Sequence, residues 1–321
     1  MTNNSKVRLL SMRNSILLTI GLISLFFLSI TSIGQRSQAT DKHHFKRENT
    51  STKQSDKSDL WQPQPGVKWQ IQLEDPVENF STDAQIYDID LFDNTAETIT
   101  KIHQQGARVI CYFSAGTYED WRSDADQFSS SDFGSNLDDW PGERWIDINS
   151  SNVRRILTAR LDMAHTKGCD GVDPDNIDAY DNDSRLGLTE ADSINLLEYL
   201  SSEAHSRGMS IGLKNGGDII GAVIEYMQWS VNEQCAEYDE CDTYAAFTKV
   251  DKPVFHIEYS DGGDGGDGDD EEEDEDEGRN TKLKKRVTQN EKSKACEASG
   301  TDKFSTVIKN MELNAWVEYC Y

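Results

Sequence analysis

Residues 167–176 read Lys167-Gly168-Cys169-Asp170-Gly171-Val172-Asp173-Pro174-Asp175-Asn176, a short strand that ends abruptly in acid. Gly168 is placed to close a preceding helix, because glycine takes the left-handed cap conformation without steric cost. Pro174 brings no N–H to a ladder, so pairing is expected to stop there. Asp173 and Asp175 are thereby set at the C-terminal end of the strand with Asn176 beside them. A second strand with an acidic end follows at Trp229-Ser230-Val231-Asn232-Glu233-Gln234-Cys235.

Outward from this stretch the chain repeats itself. Gly106, Gly168 and Gly208 each stand where a helical stretch ends and an apolar strand begins within a residue or two. Strands are expected at 67–73, 84–90, 108–114, after Gly168, at 209–215, 227–233, 253–258 and 315–319. Helices are expected from Asn94-Thr95 to Gln105, from Ser150-Ser151 to Lys167 and from Thr189 to Arg207. Thr189 and Asp192 have capping-box spacing, with Asp in place of the usual Glu. Strands alternating with helices of this length imply βαβ units and a parallel sheet. Eight strands over residues 66–321 match a (β/α)8 barrel, with an open doubly wound sheet as the alternative. Most strands end in polar groups, which a barrel gathers on one face and an open sheet does not. No glycine-rich phosphate loop follows the first strand. The stretch 115–149, with Trp121, Trp140 and Trp145, is too long for an ordinary connection and reads as a functional loop.

The 321 residues carry a net charge of −26, which disfavours nucleic acid and anionic membrane surfaces as partners. Twelve acids fall in the tract from Asp261 to Glu277, and without them the rest of the chain is still acidic. This tract and the basic run Lys282 to Arg286 lie in a low-complexity insertion, 260–294, expected to stay disordered as a solvated spacer. Residues 1–39 resemble an export signal: Lys6, Arg8 and Arg13 precede an apolar run from Ile16 to Ile33, and Ser37-Gln38-Ala39 offers a cleavage site. Left uncleaved, the run is long enough to anchor the chain in a membrane. Residues 40–65 read as a disordered stalk. Six cysteines and sequons at Asn49, Asn79, Asn149 and Asn182 fit a secreted protein in an oxidising compartment.

Hydrolysing a glycosidic bond takes two carboxyl groups, one to protonate the leaving oxygen and one to attack or to activate water. Asp175 and Glu233, at the ends of the fourth and sixth strands, can form such a pair across a barrel mouth. Asp173 is placed to raise a neighbouring carboxyl's pKa by repulsion, and Lys214 to lower one. The competing reading has Asp173 and Asp175 capping the next segment or binding a metal. A calcium loop fails for want of its alternation, glycine and distal Glu. There is no Gly-x-Ser-x-Gly and no His-Glu-x-x-His, so no metal or cofactor is assigned. His103, His165 and His205 read as surface groups near helix C-termini, leaving His256 as the histidine nearest the expected cleft. Cys235 pairs naturally with Cys241 and Cys296 with Cys320, while Cys111 and Cys169 read as buried thiols or a third bridge.

Several of these stretches, in order, resemble a known family. Trp69-Gln70-Ile71-Gln72-Leu73, Tyr87-Asp88-Ile89-Asp90, Ile110-Cys111-Tyr112-Phe113-Ser114-Ala115-Gly116, Trp140-Pro141-Gly142-Glu143-Arg144-Trp145, Asp170 to Asn176, Gly212-Leu213-Lys214-Asn215 and Asn232-Glu233-Gln234-Cys235 are similar to the motif series of glycoside hydrolase family 114. The resemblance implies a (β/α)8 endo-α-1,4-polygalactosaminidase that acts with retention on a cationic galactosamine polymer, as a monomer without cofactor. It implies Asp175 and Glu233 as the catalytic pair, with Asp175 the nucleophile and Glu233 the acid/base by analogy with other barrel hydrolases. It implies a cleft lined by Asp88, Tyr112, Ser114, Asp173, Lys214, Asn215 and Glu258, with Trp121 stacking on a sugar. The acidic insertion departs from the family's usual length. A lectin-like barrel and a hydrolase of a neutral glycan are the alternatives.

Overall fold

In a computed structural model, residues 60–80, 83–137, 139–260 and 287–320 are described. The expected signal, the stalk up to residue 59, and the acidic and basic tracts through Arg286 lie outside these residues.

Eight parallel strands run in sheet order β1 (Trp69–Gln72), β2 (Ile86–Asp90), β3 (Arg108–Ser114), β7 (Gly171–Asp175), β8 (Ser210–Lys214), β9 (Trp229–Glu233), β10 (Val254–Tyr259) and β11 (Ser305–Lys309). Helices α1 (Ala96–Gln104), α2 (Ser151–Lys167), α3 (Glu190–Ser206), α4 (Ile220–Val223), α5 (Cys241–Thr248) and α6 (Gln289–Cys296) link them into a (β/α)8 barrel. The helix ends follow their sequence signals. Thr95 accepts from Thr98 N, Ser150 from Val153 N, and the capping box of Thr189 and Asp192 is formed. Gly168 closes α2 at φ 92°.

The expected eighth strand at 315–319 is displaced. The parallel eighth strand is Ser305–Lys309, buried along its whole length, and β12 (Glu318–Tyr319) pairs antiparallel to it. A strand buried on both faces carries no polar alternation, whereas Trp316-Val317-Glu318-Tyr319 does, and the latter misleads. At the seam between first and eighth strands, Trp69 Nε1 donates to Ser305 O at 2.7 Å and Lys309 Nζ to Ile71 O at 2.7 Å.

Two apolar layers hold the barrel. Inside it, Trp69, Ile71, Ile86, Ile110, Trp229, Val231, Phe255 and Ile257 pack together. Gly171 and Gly212 make room for Trp229: a β-carbon on them would lie 2.4 and 1.9 Å from its ring. Outside, the other faces of the strands pack on the helices through residues such as Val109, Val172, Leu157, Leu197 and Phe247. The lower mouth is stoppered by Trp61, whose ring centroid lies 5.6 Å from that of Trp229 and whose carbonyl accepts from Ser210 Oγ. The end of the segment read as stalk is therefore packed chain. Likewise α6 begins within the segment read as insertion, capped by Thr288 and Glu291.

The stretch after β3 builds a small antiparallel sheet of β4 (Thr117–Glu119), β6 (Glu143–Ile146) and β5 (Phe133–Asn136). Three disulfides join Cys111 to Cys169, Cys235 to Cys241 and Cys296 to Cys320. The first settles the open question of Cys111 and Cys169 as a bridge. Among the described residues no helix is long and apolar enough to cross a membrane.

Candidate active site

The strand ends meet at a cleft of about 650 Å³ at the C-terminal mouth of the barrel. Pro174 ends pairing on one side only. β7 pairs with β3 as far as Asp175, while its pairing with β8 covers only Gly171 and Val172. Asp175 is thereby carried up beside Tyr112 and Ser114.

Three successive strands then end alike. Asn176, Asn215 and Gln234 follow Asp175, Lys214 and Glu233, and all three have positive φ, 59°, 51° and 64°. A left-handed residue costs a non-glycine side chain energy and persists only where the surroundings hold it. The holding contacts are visible. Asn176 Nδ2 donates to Ser114 Oγ at 3.0 Å, and Asn215 Oδ1 accepts from Glu233 N at 3.0 Å. Gly116 lies against Asn176, and a β-carbon there would come 1.6 Å from the Asn176 carbonyl oxygen.

Lys214 Nζ bridges the two acids, donating to Asp175 Oδ2 at 3.0 Å and to Glu233 Oε2 at 2.8 Å. Those oxygens can be no farther apart than the two contacts laid end to end. Tyr112 OH also donates to Asp175 Oδ2, at 2.9 Å. Glu233 is held at both oxygens: Asn215 Nδ2 donates to Oε2 at 3.0 Å and Tyr259 OH to Oε1. Burial works to raise the Glu233 pKa. The charge and hydrogen bond of Lys214, with those of Tyr259 and Asn215, outweigh it and hold the carboxyl below its ordinary value. Burial works against the Lys214 charge, but Asp175, Glu233 and Asp173 raise its pKa well above the usual range.

Among the described residues, nine carboxyl side chains line the cleft, against the cations Arg122 and Lys214. Both cations are committed, Arg122 Nη2 to Asp90 at 2.7 Å and Glu119 at 2.8 Å. Burial, then repulsion from Glu119 and Asp175, raises Glu143 to about 7, and burial, then Asp175, raises Asp178 to about 6. Trp121 and Trp140, 54 % and 53 % exposed, stand on the rim.

Of the residues singled out from sequence, Asp175, Glu233, Tyr112, Lys214, Asn215 and Trp121 line this cleft. Four do not. Asp88 and Asp173 are fully buried beneath its floor, and Ser114 is buried in the hydrogen-bond chain behind Asn176. Glu258 points to the helix layer, accepting from Ala236 N and paired with His256 Nε2, both at 2.8 Å. His256 faces the same way, against Phe304 and 3.3 Å from Cys235 Sγ. On β10 the inward residues are Phe255, Ile257 and Tyr259. The strand does alternate, but its polar residues His256 and Glu258 face the helix layer and its apolar parity faces in, the reverse of what a polar strand end suggests, and Tyr259 was missed in favour of Glu258. Asp178 was missed because it lies in the connection after β7, and Glu119 and Glu143 because they pair in the small sheet that the sequence showed only as a long loop. Cys235, Cys241 and His256 are close enough to share a metal ion, but both cysteines are spent in a disulfide.

Comparison with known proteins bears on this geometry. A comparison with curated proteins finds no match. Among solved structures, Aspergillus fumigatus Ega3 in complex with galactosamine is 57 % identical, with a TM-score of 0.74, covering 81 % of this chain and 97 % of that one. The glycoside hydrolase domain of PelA from Pseudomonas aeruginosa is 11 % identical with a TM-score of 0.55, covering 78 % of this chain and 98 % of that one, a likeness of fold alone. The model of glycoside hydrolase family 114 matches residues 50–321. With barrel, cleft and family model in agreement, the chain is a glycoside hydrolase and belongs to family 114.

Proposed function

We propose that this enzyme is an endo-acting hydrolase of α-1,4-linked galactosamine polymers that works with retention through Asp175 and Glu233. The observation that carries the reading is the Lys214 bridge. It keeps the bridged carboxyl oxygens within two hydrogen-bond lengths of each other, short of the roughly 6.5 Å at which inverting pairs begin. Both donors to Asp175 converge on Oδ2, so Oδ1 is the attacking atom. Oδ1 bonds to the anomeric carbon while the glycosidic C–O bond breaks, and Glu233 gives its proton to the leaving oxygen. Glu233 then takes a proton from water, which displaces Asp175.

A cationic amino sugar suits a cleft where acids outnumber cations and the cations are already paired. Ega3, 57 % identical, is known in complex with galactosamine. An entering ammonium also offsets the repulsion that raises Glu143 and Asp178. Trp121 and Trp140 offer ring faces to sugars. The test incubates the protein with polygalactosamine and with neutral polysaccharides, reading products by mass spectrometry and the first-formed anomer by NMR. Oligosaccharides of galactosamine with retained configuration are expected; an inverted anomer sinks the mechanism, and cleavage of neutral polymers alone sinks the substrate. A lectin-like barrel predicts binding without products.

Three disulfides support export, so the proposal extends to a secreted monomer whose residues 1–39 are removed. Recovery of the protein from medium with an N-terminus near Thr40, eluting at monomer size, is expected. Retention in the cell membrane with residues 1–39 attached overturns the cleavage.

A further inference from the structure

Below the cleft floor, Asp88 of β2 and Asp173 of β7 are both fully buried, and among the described residues no N–H or O–H donor reaches either carboxyl. Their side chains are within hydrogen-bond reach of each other. The register places them so: Asp88 pairs with Ile110 and Asp173 with Tyr112, so they meet across β3 one layer below Asp175. Two carboxylates in such contact repel; the contact holds only when one of them carries a proton that the other accepts. The charged groups nearest the pair are Asp175 on the strand of Asp173, Asp90 on the strand of Asp88 and paired with Arg122, Lys214 on β8 and Glu233 on β9. The neighbours of Asp88 on β1 and β3 are Ile71 and Ile110, and Tyr112 stands above on β3. Lys309, the buried cation of β11, is taken up by Gln70, Ile71 and Asn314.

We propose that Asp88 and Asp173 share one proton and act as a positioning pair for Lys214, whose bridge between Asp175 and Glu233 depends on that proton staying in place. With the proton shared, one negative charge lies beneath the lysine and helps to keep it an ammonium. Without it, a second charge opens below and draws the ammonium down, away from the two acids it bridges. The pair touches neither substrate nor reacting atoms. The inference rests on the carboxylate mechanism proposed above. Burial first, then mutual repulsion, raises Asp88 well above the usual range, and burial raises Asp173 to about 7. The pair thus holds a proton through the acidic range and past neutrality, and gives up its last one only as pH rises through the raised value of Asp88.

Two measurements test this, one of them independent of activity. Acids whose folded pKa is raised hold their stability in full below about pH 4 and lose it as pH rises toward the folded value. In Asp88→Asn the amide donates to Asp173 and cannot be titrated away, so Tm relative to wild type should climb from pH 4 to 7. A Tm difference that is flat over this range overturns the shared proton. The second measurement is kcat/KM on polygalactosamine against pH. Loss of the pair's proton should steepen the wild-type decline above neutrality by a factor of about ten per pH unit, and Asp88→Asn should lack that extra step. Asp88→Ala, which supplies no donor, should lower kcat more than it raises KM, and Asp88→Asn should restore it. Equal slopes in wild type and Asp88→Asn, with an active wild type, overturn the link to Lys214. Should Asp88→Asn fail to fold, Asp173→Asn makes the same test with the partners exchanged. A wild type that cleaves nothing at any pH refutes the proposed mechanism instead, and the Tm series still decides the proton.

Discussion

Lys214 Nζ lies 2.8 Å from Glu233 Oε2, with the lysine almost wholly buried and the glutamate at the cleft surface. The lysine favours the ionised glutamate, so the protonated form needed for leaving-group protonation becomes scarce as pH rises. In Lys214→Met, the alkaline decline of kcat/KM that reports Glu233 should shift to higher pH, while kcat falls as Asp175 and Glu233 lose their bridge. A pH profile superimposable on wild type would separate Glu233 from the acid role.

The same pair predicts a stability change of defined sign. Glu233 has a folded pKa below its ordinary value, so its stabilisation is present above that value and disappears as pH falls through the folded one. Lys214→Met should cost on the order of 3 kcal/mol near neutrality, where it strands buried carboxylates. The Tm gap to wild type should narrow in acid. A gap that widens in acid contradicts the assignment.

Gly116→Ala tests how the left-handed turn after Asp175 is held. The new β-carbon would meet the Asn176 carbonyl at 1.6 Å, and the backbone must move. A loss of about 1–3 kcal/mol is expected, with a larger fall in kcat than in affinity, because Asp175 immediately precedes Asn176. Gly221→Ala in α4, where nothing lies within 4 Å, is the control and should be neutral or slightly stabilising. Wild-type kcat in a folded Gly116→Ala would refute the argument.

The acid lining of the cleft makes binding salt-dependent. For a polycationic substrate KM should rise with ionic strength while kcat changes less, and full N-acetylation should weaken binding at low salt. Equal activity on the acetylated polymer with no salt effect would favour a neutral glycan.

The bridges should differ in what they do. Cys111–Cys169 closes a separation of 58 residues and Cys235–Cys241 one of six, which by chain entropy corresponds to about 4 against about 2 kcal/mol. Replacing both Cys235 and Cys241 with Ser should therefore lower turnover through the Glu233 loop more than it lowers Tm. Replacing Cys111 and Cys169 should do the reverse. The opposite ranking would mean that the short bridge carries no positioning role.

Local chemistry in the sequence was enough to determine the ends of α1, α2 and α3 and the strand ends that carry Asp175, Lys214 and Glu233. Caps, left-handed glycines and apolar periods act over a few residues and are written in them. Which inward parity β10 takes, that Ser305–Lys309 rather than 315–319 closes the barrel, and that Asp88 and Asp173 meet each other instead of substrate were decided only by tertiary structure. When both faces of a strand are buried, a polar residue on it can point to either layer, and depth within a barrel depends on the register of neighbouring strands. The sequence could name the acids; only the stagger of β2, β3 and β7 determined which stand at the mouth and which lie beneath it.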